Sequence, residues 1–522
     1  MATFTDRPDR LVLPKWREFK KTASAKELSS YRLDISKPKK QDITAQTKNW
    51  ENSPSFLTAS ELVNSAFIAG DLDSAKSAAT FILERCPTAS KSIVQIATII
   101  VNPFGDSLKP NKNKEAFSFD NIQRRIGEKI KETRISLRIF PNNAVRWIDL
   151  ARLYTVIGKF ENAEKAVKAA LHLAGNNVFI IRSAVRFFIH MGSEENYKYA
   201  LSLIRKNPST KHDPWLLATE ISLCAYLKKS SNLIKYGLQM ISSKNYSPFS
   251  TSELASAIAT EELRNGGTKA RSFFNAALCD PNENALAQAE WARKHIGNLP
   301  LDFDKQDSSE ALSYVHFHSG NWEAAYENAM DWIFDQPFSK ESFKHASYIS
   351  SGILDDNEKS LEICDFGLRS NPEDFGLINN KAYALAVLGR VEEAKKTFSQ
   401  VSGNSITDAE KIAYNATQGL IYYRMGVSEL GEQHYSIAVD LAVKSRDKEK
   451  TILVRAYKMR AEFLSGFNKV DKSVGIETIK KQSENLLRPD AKKILENLCN
   501  RISGENKTIK FDEQNKPDYI VK

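Results

Sequence analysis

Residues 144–177 read AVRWIDLARLYTVIGKFENAEKAVKAALHLAGNN. Trp147, Leu150, Ala151 and Tyr154 recur at helical spacing and share one face of a first helix. Ala163, Val167 and Ala170 share one face of a second. Gly158 and Phe160 fall between the two. Gly158 stands where the first helix must end in a tight turn, a position suited to positive φ. Ala151 and Ala163 are small, so two antiparallel helices can approach closely.

The same arrangement returns along the chain. From Phe56, Val63 and Ala66 precede Gly70, then Ala75, Ala79 and Pro87. From Gln306, Ser313 precedes Gly320, then Trp322, Ala325, Ala329 and Pro337, and the next unit closes at Pro372. From Phe375, Ala382 and Leu385 precede Gly389, then Ala394 and Phe398. From Ile412, Gly419 and Tyr422 precede Gly426, then Tyr435 and Ala438. Weaker copies turn at Gly192 and near Gly266 and Gly267, and one around Trp215 to Tyr246 has no glycine turn.

This pattern resembles the tetratricopeptide repeat (TPR), a helix–turn–helix unit of about 34 residues. Ala151 stands for the family's first Gly, Val167 for its Phe and Gly175 for its closing Pro. The resemblance implies an all-α fold, an α-solenoid of about eight to ten TPR-like helix pairs over roughly residues 55–485. The expected organisation is a basic arm (1–54), an N-terminal array (55–297) with an inserted loop at 102–119, a C-terminal array (298–502) with a closing helix, and a polar tail (503–522). Residues 298–308, with Pro300 and several acids, follow an apparently unpaired helix at Glu283 to His295 and are expected to kink the array.

Composition bounds the function. The chain has 522 residues, is 42% hydrophobic and 26% charged, and carries a net charge of +10. Collagenous, disulfide-scaffold and membrane-embedded classes are excluded. No stretch reaches the ~18 apolar residues of a membrane span, and the N-terminus lacks a secretory signal. The five cysteines are dispersed without a CxxC pair. Cytoplasmic residence is the expectation.

The charge excess is local: the first fifty residues hold twelve Lys and Arg against six Asp and Glu. The arm also carries an apolar cluster, with Leu11, Leu13, Trp16 and Phe19 as docking candidates. It either packs on the first repeat, docks a partner, or touches nucleic acid. No base-stacking ladder of aromatics interleaves the charges.

No phosphate loop, nucleophile elbow or metal-ligand spacing is present. His316 and His318 are two apart and point to different helix faces. No catalytic residue, metal or cofactor is therefore expected. The resemblance implies instead that inner positions of each first helix line a concave groove that captures a peptide or helix of a partner. In the units from Ala144 and Val178 these include Arg152, Arg182, Arg186 and His190, a cluster suited to carboxylate or phosphate. In the units from Phe375 and Ile412 they include Asn379, Asn380, Tyr383, Tyr423 and Arg424, suited to an extended peptide. The chaperone-type clamp of this family needs Lys and Asn where Ile148 and Arg152 stand. The expected function is a protein-interaction scaffold or adaptor. A second reading is an accessory subunit of a nucleic-acid-acting complex, such as a bacterial nuclease or defence module, and a third is an enzyme. Self-association through terminal repeats stays open.

Overall fold

The computed structural model describes residues 10–18, 43–69, 71–86, 89, 91–101, 119–243, 245–297, 299–301, 308–401, 406–467, 476–477, 481, 486 and 488–504. Every regular element among them is helical. The inserted loop expected at 102–119 lies outside the described residues except for Phe119, as does most of the kink segment 298–308 and all but the first two residues of the 503–522 tail.

Four helices come first: α1 (Thr44–Asn52), α2 (Phe56–Ala69), α3 (Lys76–Arg85) and α4 (Lys91–Val101). They close on an apolar cluster of their own, in which Trp50, Leu62, Ile82 and Ile100 are buried. After α5 (Phe119–Ile139) the pairs follow: α6 (Ala144–Val156) with α7 (Phe160–Ala174), α8 (Val178–His190) with α9 (Glu194–Lys206), α10 (Pro214–Tyr226) with α11 (Ile234–Ser242), and α12 (Pro248–Arg264) with α13 (Ala270–Ala277). A single helix, α14 (Glu283–Ala292), comes next. Then α15 (Ser309–His318) pairs with α16 (Trp322–Asp335), α17 (Lys340–Tyr348) with α18 (Asn357–Ser370), α19 (Phe375–Val387) with α20 (Val391–Phe398), and α21 (Asp408–Arg424) with α22 (Ser428–Lys444). The last two described helices are α23 (Lys448–Leu464) and α24 (Pro489–Gly504).

Two local devices set this repeat. Each pair from α6 to α22 turns on a residue with positive φ: Gly158, Gly192, Lys228, Gly266, Gly320, Asp355, Gly389 and Gly426. Lys228 and Asp355 take this position in the two units where it is not a glycine. The first helix of many pairs opens on a side-chain cap. Asn143 accepts from the Arg146 amide, Asn177 from Ile180, Asp213 from Leu216 and Asp374 from Leu377. Each cap stabilises its helix by about 1 kcal/mol.

The first helices are packed from both sides, and α10 is buried almost continuously from Leu216 to Cys224. The array also coils far enough for α18 to return against its start. Phe366 on α18 lies 4.9 Å from Phe119 on α5. The Ser370 carbonyl is 3.0 Å from Nε2 of His190 at the end of α8. A Cβ placed on Gly158 would sit 2.2 Å from the Arg369 carbonyl oxygen. The coil thus meets itself around an interior channel lined by α6, α8, α10, α12, α14, α15 and the end of α16.

Candidate functional site

The channel holds the chain's own residues 10–18. This segment runs without regular secondary structure, and its burial alternates with period two. Val12, Pro14 and Trp16 are buried, while Leu11, Leu13, Lys15 and Arg17 are part-exposed. That is the alternation of an extended chain, tightened at Val12, where the Leu13 amide donates to the Leu11 carbonyl at 2.9 Å, and Pro14 is compatible with it because it fixes φ and cannot donate to a helix.

Four side chains grip the main chain of the segment. Gln288 Nε2 donates to the Arg10 carbonyl at 3.1 Å and Asn284 Nδ2 to the Leu13 carbonyl at 2.8 Å. These two stand four apart on α14 and so share a face. Arg152 Nε on α6 donates to the Trp16 carbonyl at 3.0 Å, and the Trp16 amide donates to Gln336 Oε1 at 3.4 Å. Amide side chains supply both donors and acceptors, which suits recognition of an extended backbone.

Cations on the segment meet carboxylates on the wall. Arg10 forks onto Glu310 at 2.8 and 2.9 Å and also donates to Gln288 and Asn284, each at 2.7 Å. Lys15 Nζ lies 2.8 Å from Glu283 and 3.1 Å from Asp335, and Arg17 pairs with the same two carboxylates. Burial would lower the Lys15 pKa, but Glu283 and Asp335 outweigh it and hold the ammonium above its ordinary value. Burial likewise opposes ionisation of Glu283 and Asp335, yet Lys15 and Arg17 outweigh it and lower both, Asp335 well below the usual carboxylate range.

Trp16 is the apolar anchor. It is fully buried, with Phe187 of α8 at 6.2 Å and Phe338, just after α16, at 5.5 Å, both edge-on. A buried Trp removes about 150–250 Å² of surface from water. Val12 completes a cluster with Leu217 and Ile221 of α10 and Leu254 and Ile258 of α12. At the far end Glu18 accepts from Lys129 of α5 at 2.7 Å.

The structure brings the first sequence-derived cluster to this channel, where its members meet groups of the chain itself. Arg152 binds a carbonyl. Arg182 pairs with Glu253 at 2.9 Å and covers the Trp215 ring at 4.9 Å. Arg186 lies 5.0 Å over Phe338, and burial pulls its pKa down to about 10. Burial, with Arg186 nearby, lowers His190 to about 3, so the imidazole is neutral. The second cluster lies inside the repeat packing. Asn379 and Asn380 are fully buried, and Asn380 donates to Ser347 at 3.0 Å. Tyr383 accepts from Arg460 at 2.6 Å, Tyr423 donates to Glu432 at 2.9 Å, and Arg424 donates to the Ala386 and Leu464 carbonyls at 3.1 and 2.7 Å. These are ties between neighbouring helices. Of the arm candidates, Leu11, Leu13 and Trp16 sit in the channel, away from the α1–α4 cluster, and Phe19 lies outside the described residues.

Sequence reasoning missed the acidic wall. Glu283, Glu310 and Asp335 come from three helices and carry no local motif; only the charge excess of the arm hinted that a complement existed. Among the described residues no helix is long and apolar enough to cross a membrane, and no three potential metal ligands gather.

No protein-family model matches this chain, and no curated protein matches it. Two solved structures align with most of it. The crystal structure of yeast Tom70 is 12% identical, covering 86% of this chain and 96% of that one, with a TM-score of 0.26. The structure of Naa15/Naa10 bound to HypK-THB is 13% identical over 84% of this chain and 86% of that one, with a TM-score of 0.22.

Proposed function

We propose that this chain is a protein-interaction scaffold whose superhelical channel receives an extended polypeptide segment. The observation that carries the reading is the set of side-chain hydrogen bonds from Asn284, Gln288, Arg152 and Gln336 to the main chain of residues 10–16. Such contacts recognise a backbone in one conformation and ask little of its sequence, while the carboxylates and aromatic seat select side chains. The wall is built on packed helices, so little ordering cost falls on association. No catalytic step is assigned to the chain. The arm cations among the described residues that lie in the channel, Arg10, Lys15 and Arg17, face carboxylates there, which favours the scaffold reading over the nucleic-acid one.

The test compares proteins recovered with the tagged chain from its own cells. The channel variant Glu283→Lys with Asp335→Lys reverses the wall charge. A control, Glu429→Lys with Asp440→Lys, changes exposed positions of α22. The expected outcome is a changed partner set for the channel variant and an unchanged one for the control. The same partners at undiminished yield from the channel variant would overturn the channel as the binding surface.

A further inference from the structure

We infer that residues 10–18 are an intramolecular stand-in for the partner, and that the partner segment is an extended stretch carrying a tryptophan-sized aromatic flanked by Lys or Arg, with a further cation about six residues before it. The inference rests on the scaffold reading above and names the chemistry of what the channel takes.

Three observations support it. First, the wall is charged where the segment is oppositely charged. Glu310 faces Arg10, while Glu283 and Asp335 face both Lys15 and Arg17. If the segment left, these carboxylates would lose Arg10, Lys15 and Arg17, and the wall's own cations would be Arg186 near Glu310 and Arg152 near Asp335. A cationic occupant is therefore favoured over a neutral or acidic one, most of all at Glu310, whose side chain is only 9% exposed. Second, the aromatic seat is spaced from the carboxylates by the pitch of an extended chain: the same strand that buries Val12, Pro14 and Trp16 presents Lys15 and Arg17 beside the anchor. Third, the segment is not needed to close the superhelix, because Phe119 with Phe366 and His190 with Ser370 join α5 and α8 to α18 directly. A strut would be expected to supply the closure. An occupant fills a space that is already closed.

The attachment of the segment sets the threshold for a partner. A ligand on the same chain competes at an effective concentration on the order of millimolar. If the segment alone binds with an affinity near 10 μM, an external segment of equal quality is held back about a hundredfold. The partner must therefore be better matched, multivalent, or met after the arm has been withdrawn.

The experiment uses the full chain with a site-specific protease site inserted between residues 30 and 31, so that folding occurs with the arm in place. The probe is a fluorescent peptide of residues Arg10–Glu18. Before cleavage the peptide is expected to bind at least tenfold more weakly than after it. After cleavage residues 1–30 should be exchanged out by excess peptide and separate on gel filtration. A peptide with Lys15→Glu and Arg17→Glu should bind at least a hundredfold more weakly than the parent, and a peptide with Trp16→Ala at least tenfold more weakly. If fragment 1–30 stays bound and the peptide never enters, the segment is a strut and the inference fails. Equal binding before and after cleavage overturns the competition. Either failure leaves the scaffold reading standing if recovered partners still depend on Glu283 and Asp335. Conversely, peptide exchange with channel-independent partners sinks the scaffold reading alone.

Discussion

Gly158 shows how much can depend on one hydrogen atom. Its φ is +73°, and a Cβ there would meet the Arg369 carbonyl oxygen at 2.2 Å, a backbone atom that cannot swing aside. Gly426 occupies the same turn position with φ +80° and nothing within 4 Å. The two alanine substitutions therefore separate strain from collision. Gly426→Ala should cost about 1–2 kcal/mol, the price of a left-handed residue with a side chain. Gly158→Ala should cost more than that, since the α6–α7 turn must also draw back from the end of α18. Urea unfolding of both variants checks this, and equal losses would mean that the contact with α18 does not hold the turn. His190, at the same junction, gives a pH signature. Its folded pKa is about 3 against an ordinary 6.5, so between those values the unfolded chain binds the extra proton. Stability contributed by neutral His190 is thus present above about pH 6.5 and falls as pH drops, by about 2 kcal/mol at pH 5. His190→Gln should flatten the wild-type decline between pH 7 and 5, and an unchanged slope would show that the imidazole is not held neutral.

At the scale of elements, the arm segment is held by α14 more than by any neighbour in sequence. Asn284 ties the Leu13 carbonyl and Arg10; Gln288 ties the Arg10 carbonyl and guanidinium. Asn284→Ala with Gln288→Ala should remove about 1–3 kcal/mol of docking free energy per unpaired group left behind. Trypsin reads this directly, because Arg10, Lys15 and Arg17 are cleavage points sheltered in the channel. Faster cutting at those three residues, with the far-ultraviolet helical signal retained, is the expected outcome, and unchanged protection would show that the α14 amides do not hold the segment. The same element explains what could be read in advance. Helix pairs were legible because a 3.6-residue apolar period and a glycine turn are local signals, and a repeat multiplies them. Lys228 and Asp355 were not legible as turns, since positive φ at a non-glycine residue leaves no mark in the sequence. Leu11, Leu13 and Trp16 stood out as an apolar cluster among charges, but their seat is formed by residues up to about 320 positions away, and no local pattern encodes that. Asn379 and Asn380 occupy inner repeat positions by resemblance. Position within a repeat does not tell whether the inner face is open or packed, and here it is packed.

For the whole molecule the question is whether the arm or the helices keep the superhelix closed. The arm spans the channel: Trp16 touches Phe187 in the first half and Phe338 in the second, and Arg17 reaches Glu283 and Asp335. The direct closure is made by other groups, with Phe119 on Phe366, His190 at the Ser370 carbonyl and Gly158 under Arg369. Aromatic pairs of this kind contribute about 0.5–1.5 kcal/mol beyond the area they bury, and they act between rigid helices, so no chain entropy is lost in forming them beyond that of closing the coil. Closure should then survive loss of the arm. After cleavage and exchange of residues 1–30, small-angle scattering of the remaining chain should give the radius of gyration calculated for the closed coil without the fragment. Phe366→Asp, which places a charge against Phe119 and Phe343, should enlarge the radius even with the arm attached. The reverse pattern, a coil that opens on losing the arm and tolerates the Phe366 change, would make the arm the clasp of the superhelix and the channel a core with no vacancy to offer.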